Sequence, residues 1–247
     1  MIWLCRRILQ PETLLSTDNK MTEVQIIYQD DDIIVVNKPI DLPVHKNDFM
    51  PHDADYLTKV VGDITGKWIH NVHRLDSKTS GVIVLAFSSE VAHEMALKFE
   101  RKEVEKTYFA VVQGEPGKGT FDRKVLVKKK SKFKKPAVTH YETLRIIETN
   151  ISYKEKENVK LSLVKVNLET GRWHQIRQHF AQHHFDILGD THHGDFTLNK
   201  IVTEKTEVKR LFLHAGELKF KHPVSGDEME FVAPLPGDFE GVMDALK

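Results

Sequence analysis

The 247-residue chain carries 36 Lys and Arg against 36 Asp and Glu, with 40% hydrophobic and 9% aromatic residues. That composition excludes disorder and suits one globular domain or two closely packed ones. The single cysteine, Cys5, excludes a disulfide framework and a thiolate-rich metal site within the chain, a usage expected in a reducing cytoplasm.

No apolar run approaches the roughly 20 residues that a bilayer span needs. Arg6 and Arg7 interrupt the opening "MIWLCRRILQ" too early for a secretory leader, so neither a membrane nor an export route is expected. Residues 1 to 20 hold no periodic element and read as an N-terminal extension, or as a misassigned start with Met21 opening the body of the chain, 21 to 247. "VQIIYQ" and "IIVVNKP" are two short strands around Asp30, Asp31 and Asp32, the second stopped by Pro39. "GVIVLAF", 81 to 87, is a continuous apolar strand. Ser88 and Ser89 then cap a helix in which Ala92, Met95, Ala96 and Phe99 recur at helical spacing. "EKTYFAVVQG" and "VKLSLVKVNLE" are strands by their β-branched and aromatic content. Strands outnumber helices and no βαβ alternation with glycine-rich turns occurs. The expected fold is therefore α+β, built on a mixed, mostly antiparallel central sheet flanked by helices and loops.

The even charge total argues against a nucleic-acid partner, but its distribution argues for one. "RKVLVKKKSKFKK", 123 to 135, holds eight basic residues and no acid. With a screening length of about 8 Å at physiological salt, a phosphate feels that patch rather than the distant total. Taken alone, the run is as readily a solvated basic loop.

Motif searches remove several reaction classes. "HEMAL" has Leu97 where a zinc-protease helix needs its second histidine. "GEPGKGT" lacks the first glycine of a phosphate loop, and Gly119 stands in place of Ser or Thr. His179 and His183 would share a helix face within "HQIRQHFAQHHFDILGDTHHGD", with Asp186, Asp190 and Asp195 nearby. A metal-dependent hydrolase on that cluster is the weakest of the readings considered, because such sites want more carboxylates among the ligands.

Arg177 is the sharper clue. Helical spacing puts Trp173, Ile176, Phe180 and Ala181 on one apolar stripe with Arg177 at its border. Burying an unpaired charge costs several kcal/mol, and arginine cannot escape by losing its proton. A carboxylate from elsewhere should meet it, unless the side chain snorkels to solvent. Asp76 is the natural partner, since it sits in a tight turn just before the apolar strand, a common place for a site. An aspartate there is also an ordinary turn former.

These residues resemble a known family. "HRLDSKTSG" is similar to the signature of the RluA-type pseudouridine synthases, which carry His-Arg-Leu-Asp, two variable residues, then Thr-Ser-Gly. "IIYQDDDIIVVNKPIDLPVH" resembles the family's first motif through Asn37, Lys38, Pro39 and His45, and "KTYFAVVQG" its Lys-x-Tyr segment through Lys106 and Tyr108. "TGRWHQIRQHFA", "ILGDTHHGD" and "RLFLHA" resemble three further segments. The motifs come in the family's order over nearly the whole chain after Met21. "PAVTHYETL", "GDTHHGDFTLNK" and "HKNDFMPHDA" resemble the branch acting on uridine 65 in the T-arm of tRNA.

The resemblance implies a pseudouridine synthase fold over 21 to 247 and an isomerase that converts uridine to pseudouridine without metal, nucleotide or redox cofactor. Asp76 would be the catalytic aspartate, attacking either the ribosyl C1′ or the base. It would act as the anion that an ordinary Asp already is at neutral pH, with Arg177 orienting it and lowering its pKa. Tyr108 would stack on the target base and shuttle a proton at C5, where a strand tyrosine otherwise just fills core. Arg74 would enter the gap left by the extruded uridine, with His73 beside it as a further RNA contact. Lys128, Lys129, Lys130, Lys132, Lys134 and Lys135 would meet the RNA backbone.

Two departures stand out. Asp41 replaces a common glycine, and Trp173 replaces the usual small residue before His174. The expected partner is tRNA, met by a monomer in the cytoplasm. The alternatives are a synthase acting on ribosomal RNA and a non-catalytic RNA-binding protein.

Overall fold

The computed structural model describes residues 23–46, 50–155 and 157–247. The reading of residues 1 to 20 as an extension, the question of Met21, and part of the 45–54 segment lie outside these. Two strands open the fold, β1 (Gln25–Gln29) and β2 (Ile33–Lys38). The turn between them forms because Asp30 Oδ1 accepts the backbone N–H of Asp32 and of Ile33, each at 2.8 Å. Helix α1 (Leu57–Thr65) ends at Gly66 in the left-handed conformation (φ 67°).

A short strand, β3 (His70–Asn71), leads to β4 (Ser80–Ala86), which is buried along its whole length. The expected helix follows as α2 (Ser89–Glu100), with the Ser88 side chain accepting the Val91 N–H. Beyond it run β5 (Glu105–Gln113), β6 (Lys118–Phe121), and a small hairpin of β7 (Val125–Leu126) and β8 (Lys134–Lys135). The chain continues with β9 (Thr139–Glu148), β10 (Lys160–Leu168), α3 (Gln175–Gln182) and α4 (Phe196–Thr206). It closes with β11 (Leu213–Lys221), β12 (Glu228–Val232) and α5 (Gly237–Ala245).

One sheet of ten strands, among the described residues, organises the molecule in the order β1-β2-β4-β11-β5-β10-β9-β6, with β12 on β11 and β3 on β4. The pairings are antiparallel except β4 with β11, so the sheet is mixed and mostly antiparallel as expected.

The parallel pair positions the site. Ser80 and Gly81 lie opposite His214 and Ala215 of β11, and Ala215 lies opposite Tyr108 of β5 on its other side. The loop entering β4 is thereby brought next to Tyr108. Gly81 has φ 117°, and a Cβ there would come within 2.1 Å of the Ala215 carbonyl oxygen. Only glycine permits that approach.

Candidate active site

Asp76 stands in the turn that feeds β4, with its carbonyl accepting the Thr79 N–H at 3.0 Å. Lys38, at the end of β2, fixes this turn from below. Its ammonium is fully buried and donates to three carbonyls, Pro39 at 2.8 Å, Leu42 at 3.0 Å and Ser77 at 2.9 Å. Burial pushes Lys38 down to about 7, against the opposing pull of Asp76 and Asp41. Three carbonyl acceptors match the three protons of the charged form.

Arg177 projects from α3 with 4% of its surface exposed. It does not snorkel. Nη1 donates to Asp76 Oδ2 at 3.1 Å, which is the expected pairing. Its stronger contact is one that local pattern did not show. Nε and Nη2 form a fork on Asp190 Oδ2 and Oδ1, both at 2.7 Å. Burial favours the neutral acid at Asp190. The Arg177 guanidinium and the backbone N–H groups of His192 and His193 outweigh it and hold the carboxyl below the usual carboxylate range. Asp190 thus anchors the arginine, which leaves one edge of the guanidinium for Asp76.

That edge is shared with His174, whose Nε2 lies 3.0 Å from Arg177 Nη1 and 3.5 Å from Asp76 Oδ2. Guanidinium only donates, so His174 Nε2 must accept and its proton sits on Nδ1, facing His193 Nε2 at 3.0 Å. Burial pushes His174 down to about 4, with Asp76 pulling the other way, and it lowers His193 too. Both rings are neutral at physiological pH. His174 caps α3 in the left-handed conformation (φ 49°), a position that disfavours a side chain. For the same reason the helix begins at Gln175, and Trp173 lies outside it. Trp173 stacks on the His174 ring at 3.9 Å instead of joining the apolar stripe.

These groups open onto a cleft of about 580 Å³, lined among others by Arg74, Asp76, Tyr108, Lys128, Trp173 and Arg177. Tyr108 stands on β5 with 9% exposure. Burial, and secondarily the Asp76 charge, push its phenol up, so it remains protonated across the physiological range. Arg74 is exposed at the cleft mouth and has no ion pair among the described residues. His73 is placed differently. Its Nε2 accepts the Val84 N–H at 3.3 Å and its ring stacks on Phe99 at 4.5 Å. Burial pushes it down to about 3, helped by Lys106. These internal contacts hold the loop that carries Arg74 and Asp76.

The basic run forms the β7–β8 hairpin, which overhangs the cleft through Val127, Lys128 and Lys129. The six lysines from Lys128 to Lys135 are all exposed, and none has a carboxylate partner among the described residues. Of the two histidines weighed as metal ligands, His183 stacks on Phe121 at 4.1 Å and His179 is engaged by hydrogen bonds. His179 Nδ1 pairs with Thr139 Oγ1 at 2.8 Å and Nε2 with the Arg123 carbonyl at 2.7 Å, while Asp190 is taken by Arg177. Asp30, Asp32 and His222 also approach one another. However, His222 Nδ1 faces the N–H groups of Val224 and Ser225. Nδ1 therefore accepts, and Nε2 lies 3.0 Å from Asp30 Oδ2 without a hydrogen bond.

The site combines an aspartate–arginine pair with a basic hairpin, a setting suited to a polyanionic substrate. Residues 32–182 match the family model of RNA pseudouridylate synthases, and the chain belongs to that family. It is similar to tRNA pseudouridine synthase C of Yersinia pestis, 38% identical over 230 residues covering 89% of this chain and 90% of that one. It is also similar to the protein of the same name from Haemophilus influenzae, 35% identical over 231 residues and covering 90% and 97%. Among solved structures it resembles human RNA pseudouridylate synthase domain containing 4. The TM-score there is 0.69 at 26% identity, covering 90% of this chain and 92% of the other. The chain is an isomerase that converts uridine to pseudouridine in RNA.

Proposed function

We propose that the RNA is tRNA, with a T-arm uridine, position 65, as target. Two features support this reading. The relatives that match nearly end to end carry the name tRNA pseudouridine synthase C, and the substrate-side stretch 189–200 belongs to the segment that positions Asp190 and opens α4. The single observation that carries it at the site is the exposed basic hairpin with six lysines, of which Lys128 and Lys129 line the cleft that holds Asp76. Each phosphate they neutralise releases counterions and steepens the salt dependence of binding.

In this reading Asp76 is the catalytic group. Its carboxylate, fixed by Arg177 Nη1, acts at the ribosyl C1′ or on the base while the C1′–N1 bond breaks. The freed base rotates, a C1′–C5 bond forms, C5 gives up its proton and N1 takes one. Tyr108, kept as a phenol, packs against the base and relays the C5 proton, accepting on oxygen as it passes its own on. Arg74, unpaired at the mouth, fills the place the uridine leaves, stacking as a planar cation and offsetting part of the few kcal/mol that extrusion costs. His73 supports this loop from inside.

The test is incubation of purified protein with unmodified tRNA transcripts and, separately, with ribosomal RNA fragments, followed by chemical mapping of pseudouridine. Modification at one T-arm uridine is the expected result. Modification of the ribosomal fragments alone would overturn the tRNA assignment while keeping the chemistry. Binding without modification of either would favour a non-catalytic RNA-binding role.

A further inference from the structure

We propose that the cavity between α4 and the 188–191 segment is a second nucleotide subsite, which takes an unpaired nucleotide of the substrate RNA beside the target uridine. The cavity measures about 330 Å³. Its floor is apolar, formed by the buried side chains of Leu188, Val202 and Phe212. Phe196 stands on its rim with 78% of its surface exposed. An aromatic held in water over an apolar hollow is how proteins present a stacking face to a base.

The platform is rigid. Phe196 is the first residue of α4, which Asp195 caps by accepting the N–H groups of Thr197 at 2.9 Å and Leu198 at 3.1 Å. Because the capping carboxylate occupies that helix end, phosphate contacts must come from side chains. Lys78, Lys200 and Lys209 supply them at the rim. Lys209 has no carboxylate partner among the described residues. Lys78 and Lys200 make only exposed pairs, with Asp41 at 3.5 Å and Glu204 at 3.7 Å, which cost little to exchange for phosphate.

The hollow and the active cleft are lined from the same turn. Asp76 lines one and Lys78, two residues on, lines the other. Asn199 of α4 accepts the Gly189 N–H at 2.7 Å and donates to the Asp190 carbonyl at 3.0 Å, so the subsite is bolted to the residue that holds Arg177. Gly189, at φ 73°, lets this wall touch Arg210, where a Cβ would overlap the carbonyl oxygen. The cationic rim favours a polyanion over a basic or neutral peptide, and the exposed face of Phe196 favours one that carries bases.

The test measures RNA affinity and the single-turnover rate at saturating RNA for wild type, Phe196→Ala, Phe196→Tyr and Lys209→Glu, with Trp68→Ala as a control at another exposed aromatic. The subsite rests on the tRNA reading only for the choice of probe. The RNA is a tRNA transcript that wild type modifies, or a ribosomal fragment should the transcript not be modified, which keeps the two failures distinct. Phe196→Ala should weaken binding about tenfold or more, the loss of one base stack, with the saturated rate within about twofold of wild type. Phe196→Tyr should restore affinity, and Lys209→Glu should weaken binding and flatten its salt dependence. Affinity of Phe196→Ala equal to wild type, or a loss that Phe196→Tyr does not restore, would overturn the subsite.

Discussion

Arg177 is the residue on which the site turns, because it serves two carboxylates of unequal burial. Asp190, with 1% exposure, depends on it for neutralisation, whereas Asp76, with 21% of its side chain exposed, needs it for direction. Arg177→Ala should therefore destabilise the fold by about 3–5 kcal/mol, the typical cost of leaving one member of a buried pair behind. The urea midpoint reads it, and an unchanged midpoint would show that Asp190 does not depend on the arginine. On the proposed mechanism, Tyr108→Phe keeps the ring and its packing but loses the proton relay. Turnover should fall sharply while RNA affinity and melting temperature stay near wild type, and full turnover would remove the phenol from the chemistry. The Arg177–Asp76 pair is legible in the sequence because a border arginine demands a carboxylate. The Asp190 fork is not. That residue sits 13 positions downstream in a turn, and nothing in local spacing separates a buried acceptor from a solvated aspartate.

At the level of elements, the β7–β8 hairpin carries the charge that the whole-chain total conceals. Replacing Lys128, Lys129, Lys130, Lys132, Lys134 and Lys135 with glutamine should lower the slope of log affinity against log salt by about 0.7–0.9 for each phosphate no longer neutralised. Titrations at several salt concentrations would show it, and an unaltered slope would return the hairpin to a solvated loop. Elements with one dominant signal are legible from sequence. β4 is apolar throughout its valine, isoleucine and leucine run, and α2 has its serine cap and a helical stripe. α4 buries only Leu198 and Val202, and α5 contains Gly237 and Gly241. Their helicity comes from packing Leu198, Val202, Phe239 and Val242 into an apolar cluster with Val111, Leu161 and Phe212, and local preference does not announce it. The apolar stripe alone misplaces the start of α3, since His174 takes the left-handed cap and leaves Trp173 outside.

Across the whole molecule, desolvation holds His73, His174 and His214 neutral, the first two half-buried and the third fully buried. His73 is pushed down to about 3, and His174 and His214 to about 4. In the unfolded chain each returns to its ordinary value near 6.5. As pH falls below that value the unfolded chain binds protons that the folded one refuses, so stability is complete above about 6.5 and declines towards about 3. Urea midpoints at pH 7.5, 6 and 5 should fall in that order, and a flat profile would show that these rings are not held neutral.

The most direct test of the chemistry concerns Asp76. Wild type and Asp76→Asn are each saturated with an unmodified tRNA transcript, and pseudouridine is counted in a single turnover. Asp76→Asn should bind the RNA within a few-fold of wild type and form no pseudouridine. Product from Asp76→Asn at a rate near wild type would contradict the catalytic role of this carboxylate, and would place the chemistry on another group in the cleft.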